Sequence, residues 1–188
     1  YGEGTLKMNA IYFIIDKNYL NITLYHSMGI LKRTNADVHI FLENYNGPSD
    51  ISIKNERIFF HFNEITPIVT KNLPSSKRWP SIVYCRIFAP YVLENYDRLL
   101  YLDADTLVVK NVDFLMEFDM KGNTLAATHD GAAIGPLSAH GTEPKEDWLQ
   151  SIGITTGRYL NAGILVIDQK KFTKFDLGAE MVSYFDQY

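Results

Sequence analysis

Short apolar runs alternate with stretches of helical period along this chain. Residues 10–16, AIYFIID, are apolar and β-rich and predict a buried strand. Leu20, Leu24, Met28 and Leu31 then recur at helical spacing, predicting an amphipathic helix from Tyr19 to Arg33. ADVHIFLE predicts a second strand and ERIFFHFNEI a third, with NYNGPSD as the loop between them. LPSSKRWPS, from Leu73 to Ser81, is another loop. IVYCRIFAPYVLEN reads as helix, bent or divided at Pro90. RLLYL predicts a core strand, and the short segment NVDFLMEFD leads to a strand in TLAATHD, Thr124 to Asp130. Residues 131–158 have little periodicity and are expected to form a functional loop or to hold a short helix. YLNAGILVID predicts a further buried strand, and QKKFTKFDLGAEMVSYFDQY a loop followed by a terminal helix. Strands alternating with helices predict an α/β class, with a mostly parallel sheet covered on both faces.

Composition narrows the function classes. The 188 residues suit one domain with a sizeable core. Hydrophobic residues are 46% and charged residues 21%, the balance of a globular chain rather than a disordered one. A net charge of −4 argues against a nucleic-acid-binding protein, which usually carries a basic surplus. No apolar run reaches the 18 residues of a membrane span. The single cysteine, Cys85, has no internal disulfide partner, which points to a reducing compartment, hence the cytoplasm. Residues 1–7, YGEGTLK, lack the apolar core of a signal peptide and are read as an appended or disordered start before Met8, with residues 8–188 as a single domain.

The candidate chemistry lies in LLYLDADTLVV, residues 99–109. Asp103 and Asp105 sit inside an apolar run, where an ionised carboxylate needs a partner, hydrogen bonds or a metal. Residues i and i+2 of a strand share a face, so the pair is expected to project together across Ala104. It follows RLLYL, at the carboxyl end of a strand, where open α/β sheets bind ligands. Two hard oxygen donors without a nearby Cys or His pair suit Mg²⁺ or Mn²⁺ rather than structural zinc. Such ions take further ligands from substrate phosphates, so a diphosphate leaving group is the natural substrate feature. By itself D-x-D is equally compatible with two aspartates ending a strand in a turn.

RIFAPYVLENYDRLLYLDADTLVV, followed about fifty residues on by YLNAGILVID, resembles glycosyltransferase family 8, which includes bacterial lipopolysaccharide galactosyl- and glucosyltransferases and glycogenin. The resemblance runs from the first strand to residue 188. It implies the GT-A fold, a Rossmann-like nucleotide-binding architecture, a UDP-sugar donor, a Mn²⁺ cofactor (Mg²⁺ as the alternative) and retention of anomeric configuration. By position, Asp103 and Asp105 would hold the metal, with Ala104 between them against the donor. Asp16, Asn18 and Tyr19 of DKNY would contact uracil and ribose. Arg86 would reach the donor sugar or diphosphate, and Asp130 would hydrogen-bond donor-sugar hydroxyls. Asn161, Ala162 and Gly163 would form part of the floor under the sugar, placing Asn161 beside Asp130 in the reaction.

The family pattern also contains an Asp-Gln-Asp segment and a later His-x-x-Gly-x-x-Lys-Pro-Trp-like segment, whose His is the third protein ligand to the metal. Neither occurs here, so the domain is expected to be incomplete at its carboxyl end. His129 and His140 are the substitutes to consider, although His129 is expected to face away if Asp130 faces the site. The loop from Gly131 to Arg158 is assigned to the acceptor side, where Trp148, Tyr159 and Trp79 offer faces for sugar stacking. The acceptor class is a glycan, lipid-linked or protein hydroxyl, with peripheral attachment to the inner face of a membrane through the missing part. The competing classes are a degenerate UDP-sugar-binding module and a nucleotidyltransferase. The latter usually carries a Gly-rich phosphate loop, which IIDKNYLN lacks.

Overall fold

The computed structural model describes residues 8–49, 51, 53, 55–69, 73–75, 80–130, 144–156 and 158–185. The expected elements at 1–7, at 131–143 and at 186–188, together with Trp79 and His140, lie outside the described residues. Six strands form one sheet: β1 (Asn9–Ile15), β2 (Asp37–Leu42), β3 (Ile58–Phe62), β4 (Arg98–Leu102), β5 (Leu125–His129) and β6 (Leu160–Asp168). Their order is β3-β2-β1-β4-β6-β5, with β1, β2, β3 and β4 parallel and β6 antiparallel to both its neighbours. A mixed α/β fold with a mostly parallel sheet is the predicted class.

Alternation along the strands builds two cores. Ile11, Phe13 and Ile15 face one side with Ile40 and Leu100, under α1 (Leu20–Ile30) and α3 (Asp113–Glu117). Ala10 and Tyr12 face the other with Phe41, Leu99 and Tyr101, under α2 (Cys85–Phe88), α5 (Gln169–Lys174) and α6 (Leu177–Phe185). The residues buried on both faces explain why the strands read as continuous apolar runs.

Local detail refines these expectations. Helix α1 packs Leu20, Leu24 and Leu31 on the core as their spacing predicts, while Met28 is exposed and Thr23, His26 and Ser27 join the buried face. Two of these polar residues make hydrogen bonds inside. His26 Nε2 accepts from Val108 N at 2.9 Å, and Ser27 Oγ donates to the Thr23 carbonyl at 2.7 Å. The stretch around Pro90 is divided, as predicted: a 3₁₀ turn at Ser81–Tyr84, the single turn of α2 and a second 3₁₀ turn at Ala89–Tyr91 follow one another, and Pro90 has no N–H to continue α2. Helix α5 starts directly after β6 instead of after a loop, since the Asp168 carboxylate accepts from Lys171 N at 3.2 Å and caps it. The expected short helix between 131 and 158 is α4 (Lys145–Ser151).

The chain runs outward from β1 to β2 and β3, then crosses back to place β4 on the other side of β1. That reversal makes the carboxyl ends of β1 and β4 a topological switch point, where a crevice opens in this class of sheet.

Candidate active site at the β1–β4 switch point

A cleft of about 260 Å³ sits at that point. Its walls come from the end of β1 (Ile14, Ile15, Asp16, with Tyr19), from the turn before α2 (Ile82, Val83) and α2 itself (Arg86), and from the end of β4 (Tyr101, Asp103, Ala104, Asp105). Three segments far apart in sequence therefore bring six of the predicted residues onto one surface.

The aspartates meet by a different route from the strand pleat. β4 ends at Leu102, and Asp103 to Asp105 form a turn closed by Thr106, whose N and Oγ1 both donate to the Asp103 carbonyl, at 3.0 and 2.7 Å. A threonine that caps the strand end thus replaces the pleat as the positioning device. Asp105 is exposed and has no side-chain partner among the described residues. Asp103 is half-buried. Its Oδ1 accepts from the Tyr101 hydroxyl and lies 3.3 Å from Arg86 Nη1. Arg86 also donates from Nε to the Val83 carbonyl at 2.8 Å and from Nη1 to the Ala162 carbonyl at 2.9 Å, while its guanidinium lies over the Tyr101 ring, 4.9 Å from the centroid. Its Nη2 has no partner among the described residues.

The Asn-Ala-Gly segment joins this cluster through an irregularity in the sheet. β5 and β6 pair in one register up to Ala127↔Leu165 and in another from Thr128↔Asn161. Ala162, Gly163 and Ile164 are the extra residues, released from β5 but still running beside β4. Their carbonyls are thereby re-aimed: Ala162 accepts from Arg86, and Gly163 accepts from Asp103 N at 2.8 Å. A Cβ at Gly163 would lie 2.7 Å from Asp103 Oδ2 and 3.0 Å from Asn161 Oδ1, so any side chain there requires one of these groups to shift. The side-chain oxygen Oδ1 of Asn161 accepts from Gly163 N at 2.8 Å, which turns its Nδ2 toward Asp130 Oδ2, 3.5 Å away. Asp130 lies just past β5, its N donating to the Tyr159 carbonyl.

Other predicted residues fall differently. Asn18 is exposed and bonded to Asp16 through its N at 2.8 Å and its Nδ2 at 3.3 Å, so Asp16 closes a turn and Tyr19, not Asp16, is the helix cap position. Trp148 is 8% exposed and packs its ring on Tyr159 at 4.9 Å, which makes it core and withdraws it from sugar stacking. Tyr159 is half-buried, and burial, then the Asp130 charge, raises its hydroxyl pKa above the usual value. His129 is exposed at the end of β5 rather than packed behind it. Among the described residues no group of three His, Cys, Asp or Glu side chains is placed to hold a metal. The pair Asp103 and Asp105 nevertheless fits a hard cation that takes its other ligands from phosphate and water.

Tyr12 and Tyr101 were not legible as site residues. They pair across β1 and β4, with rings 5.2 Å apart, and Tyr12 donates to the Arg86 carbonyl at 2.7 Å. Burial pushes both hydroxyls far above the ordinary tyrosine range, so they act as donors. Their signal was position alone, at i−2 from Asp103 on β4 and opposite it on β1.

The family model for glycosyl transferase family 8 matches residues 10–188. The chain belongs to glycosyltransferase family 8. As a family 8 chain it is 31% identical over 119 residues to lipopolysaccharide 1,3-galactosyltransferase of Salmonella typhimurium, covering 60% of this chain and 32% of that protein. It is 24% identical over 130 residues to general stress protein A of Bacillus subtilis, covering 68% and 41%. The chain thus spans less than half the length of these curated relatives. Among solved structures, an active-site mutant of LgtC superposes with a TM-score of 0.76 at 22% identity, covering 96% of this chain and 64% of that one. The apo form of GlyE from Streptococcus pneumoniae gives a TM-score of 0.59 at 20% identity, covering 97% and 39%. These likenesses establish the GT-A glycosyltransferase fold of the family 8 chain.

Proposed function

We propose that this domain binds a UDP-sugar with a divalent cation, Mn²⁺ or Mg²⁺, and transfers its hexose, glucose or galactose, to a hydroxyl of a glycan or lipopolysaccharide-type acceptor with retention of configuration. The observation that carries this reading is the convergence of Asp16, Arg86, Asp103 and Asp105 on one cleft at the switch point. Family membership and the printed activity of the lipopolysaccharide transferases among the relatives support the class of reaction. Asp103 and Asp105 would hold the cation, which stabilises charge on the departing diphosphate when bound.

The chain's own groups take the remaining roles. Arg86 Nη2 is left to bind a diphosphate oxygen, because Nη1 and Nε are committed to the floor and to Val83. Asn161 Nδ2 and the Asp130 carboxylate form a donor–acceptor pair for sugar hydroxyls. Asp16 and Tyr19, at the far wall, are assigned to the nucleoside, with Asn18 bracing Asp16. Double displacement would need a carboxylate nucleophile under the sugar. Asp130 is instead assigned to hydrogen bonding, and the departing diphosphate to deprotonating the acceptor on the same face. No helix among the described residues is long and apolar enough to cross a membrane. Burial pushes the Cys85 thiol up to about 12, which marks a structural rather than a reactive cysteine.

The test is a donor screen with UDP-glucose, UDP-galactose and their N-acetyl forms in the presence of Mn²⁺, read by calorimetry and then by product anomer in NMR. Metal-dependent binding of one hexose donor and an α-linked product support the proposal. A trapped covalent glycosyl-enzyme at Asp130 would contradict the front-face route, and donor binding without transfer by the full-length protein would favour a non-catalytic binding module.

A further inference from the structure

We propose that Tyr101 is a positioning residue that makes Asp103 a one-oxygen ligand to the cation. The inference rests on the metal-site reading above and adds a residue to it. The geometry divides the two oxygens of Asp103. Oδ1 accepts from the Tyr101 hydroxyl and forms an ion pair with Arg86 Nη1 at 3.3 Å, whose own hydrogen bond goes to the Ala162 carbonyl. Oδ2 has no donor among the described residues, and it lies against Gly163, where a methyl carbon would meet it at 2.7 Å. A carboxylate whose one oxygen is held by a hydrogen bond and an ion pair presents the other to a cation.

Tyr101 is suited to this role by its own fixation. It is 2% exposed, its ring is held between Tyr12 and the Arg86 guanidinium, and its backbone belongs to the ladder between β1 and β6. The hydroxyl therefore meets Asp103 from a rigid strand rather than from a loop. Asp103 itself sits just beyond the strand, where only the Gly163 carbonyl anchors its backbone N. The strand thus extends its rigidity by one side chain. Tyr101 lines the cleft only with a buried ring, and its hydroxyl acts on the cation through Asp103. Partners of this kind behind a metal ligand typically account for about 10- to 100-fold in metal affinity.

The experiment uses Tyr101→Phe, which keeps the ring and removes the hydroxyl. Mn²⁺ binding in the presence of UDP is followed by electron paramagnetic resonance, and folding by circular dichroism and by melting without metal. The expected result is a native spectrum, a melting temperature lowered by about 2–4 °C and Mn²⁺ affinity weakened about 10- to 100-fold. Combination with Asp103 and Asp105 variants separates positioning from general loosening. Both backgrounds are read at millimolar Mn²⁺, above the micromolar range in which the single aspartate variants lose binding: in Asp103→Asn, Tyr101→Phe should cause no further loss, whereas in Asp105→Asn it should cause its full factor. Unchanged affinity in the single variant overturns the inference, as does an equal further loss in both backgrounds. A wild-type protein that does not bind Mn²⁺ with UDP refutes the metal-site reading itself, which distinguishes the two failures.

Discussion

Gly163→Ala isolates the steric logic of the site. Gly163 is not among the glycines with positive φ, so alanine is acceptable to the backbone and the effect reports space alone. The new Cβ would lie 2.7 Å from Asp103 Oδ2, 3.0 Å from Asn161 Oδ1 and 3.3 Å from Asp103 Cγ. Ordinary van der Waals contact begins at 3.4 Å, so the carboxylate and the floor must separate by about 0.7 Å. Asp103 resists that movement, because its N is bonded to the Gly163 carbonyl and its Oδ1 is held by Tyr101 and Arg86. Overpacking of this kind costs about 1–3 kcal/mol. If the floor gives way, melting falls by roughly 2–4 °C per kcal/mol. If Asp103 yields, stability is spared and Mn²⁺-dependent UDP affinity falls about 10-fold or more. Differential scanning fluorimetry and titration calorimetry on the same preparation read both outcomes. An alanine variant with unchanged melting and unchanged affinity would refute the close approach of Gly163 to Asp103.

Three further outcomes follow from the same structure. Asp105→Asn removes an exposed carboxylate with no side-chain partner among the described residues, so melting should stay within about 0.5 kcal/mol of wild type while Mn²⁺-dependent UDP binding is lost; a large drop in melting would mean that Asp105 has a structural role. Arg86→Lys keeps the charge but loses the fork that spans the Val83 and Ala162 carbonyls and Asp103, so a destabilisation of about 1–3 kcal/mol and weaker donor binding are expected in denaturant melts and calorimetry, and equivalence of the two residues would contradict the assignment. His39 is buried between Tyr96 and His61, and burial, then the neighbouring His61, lowers its pKa to about 3. Its folded value lies below the ordinary 6.5, so its contribution, of order a few kcal/mol, is complete above pH 6.5 and is lost as the pH falls toward 3. NMR should find His39 neutral at pH 5 in the folded protein, and a midpoint near 6.5 would refute its burial.

Much of this architecture was legible because parallel strands buried on both faces are written as plain apolar runs. AIYFIID and RLLYL gave β1 and β4, and with them the ends that carry Asp16 and Asp103. Strand direction was not legible, since an apolar run reads the same either way, and β6 is the strand that reverses. The register shift that exposes the Ala162 carbonyl leaves no mark beyond Gly163 itself. The leucine spacing of α1 found its core face, with Met28 as the exception, but not the polar part of that face, where Thr23 and Ser27 pack inward and His26 has Val108 as a partner. Trp148 appeared to be a sugar platform because its ring chemistry suits both uses, and only packing on Tyr159 decides between them. Tyr12 and Tyr101 looked like core aromatics, which they also are. Their second role depends on which atoms their hydroxyls reach, and that is set by the pairing of β1 with β4.

The central claim is that Asp103 and Asp105 form a metal-dependent UDP site at the switch point. Titration of UDP into the protein with and without Mn²⁺ tests it most directly, on wild type, Asp103→Asn and Asp105→Asn. One UDP per chain, bound only with Mn²⁺ and lost in both variants, is the predicted result. Binding that needs no metal, or affinity unchanged in both variants, would contradict it.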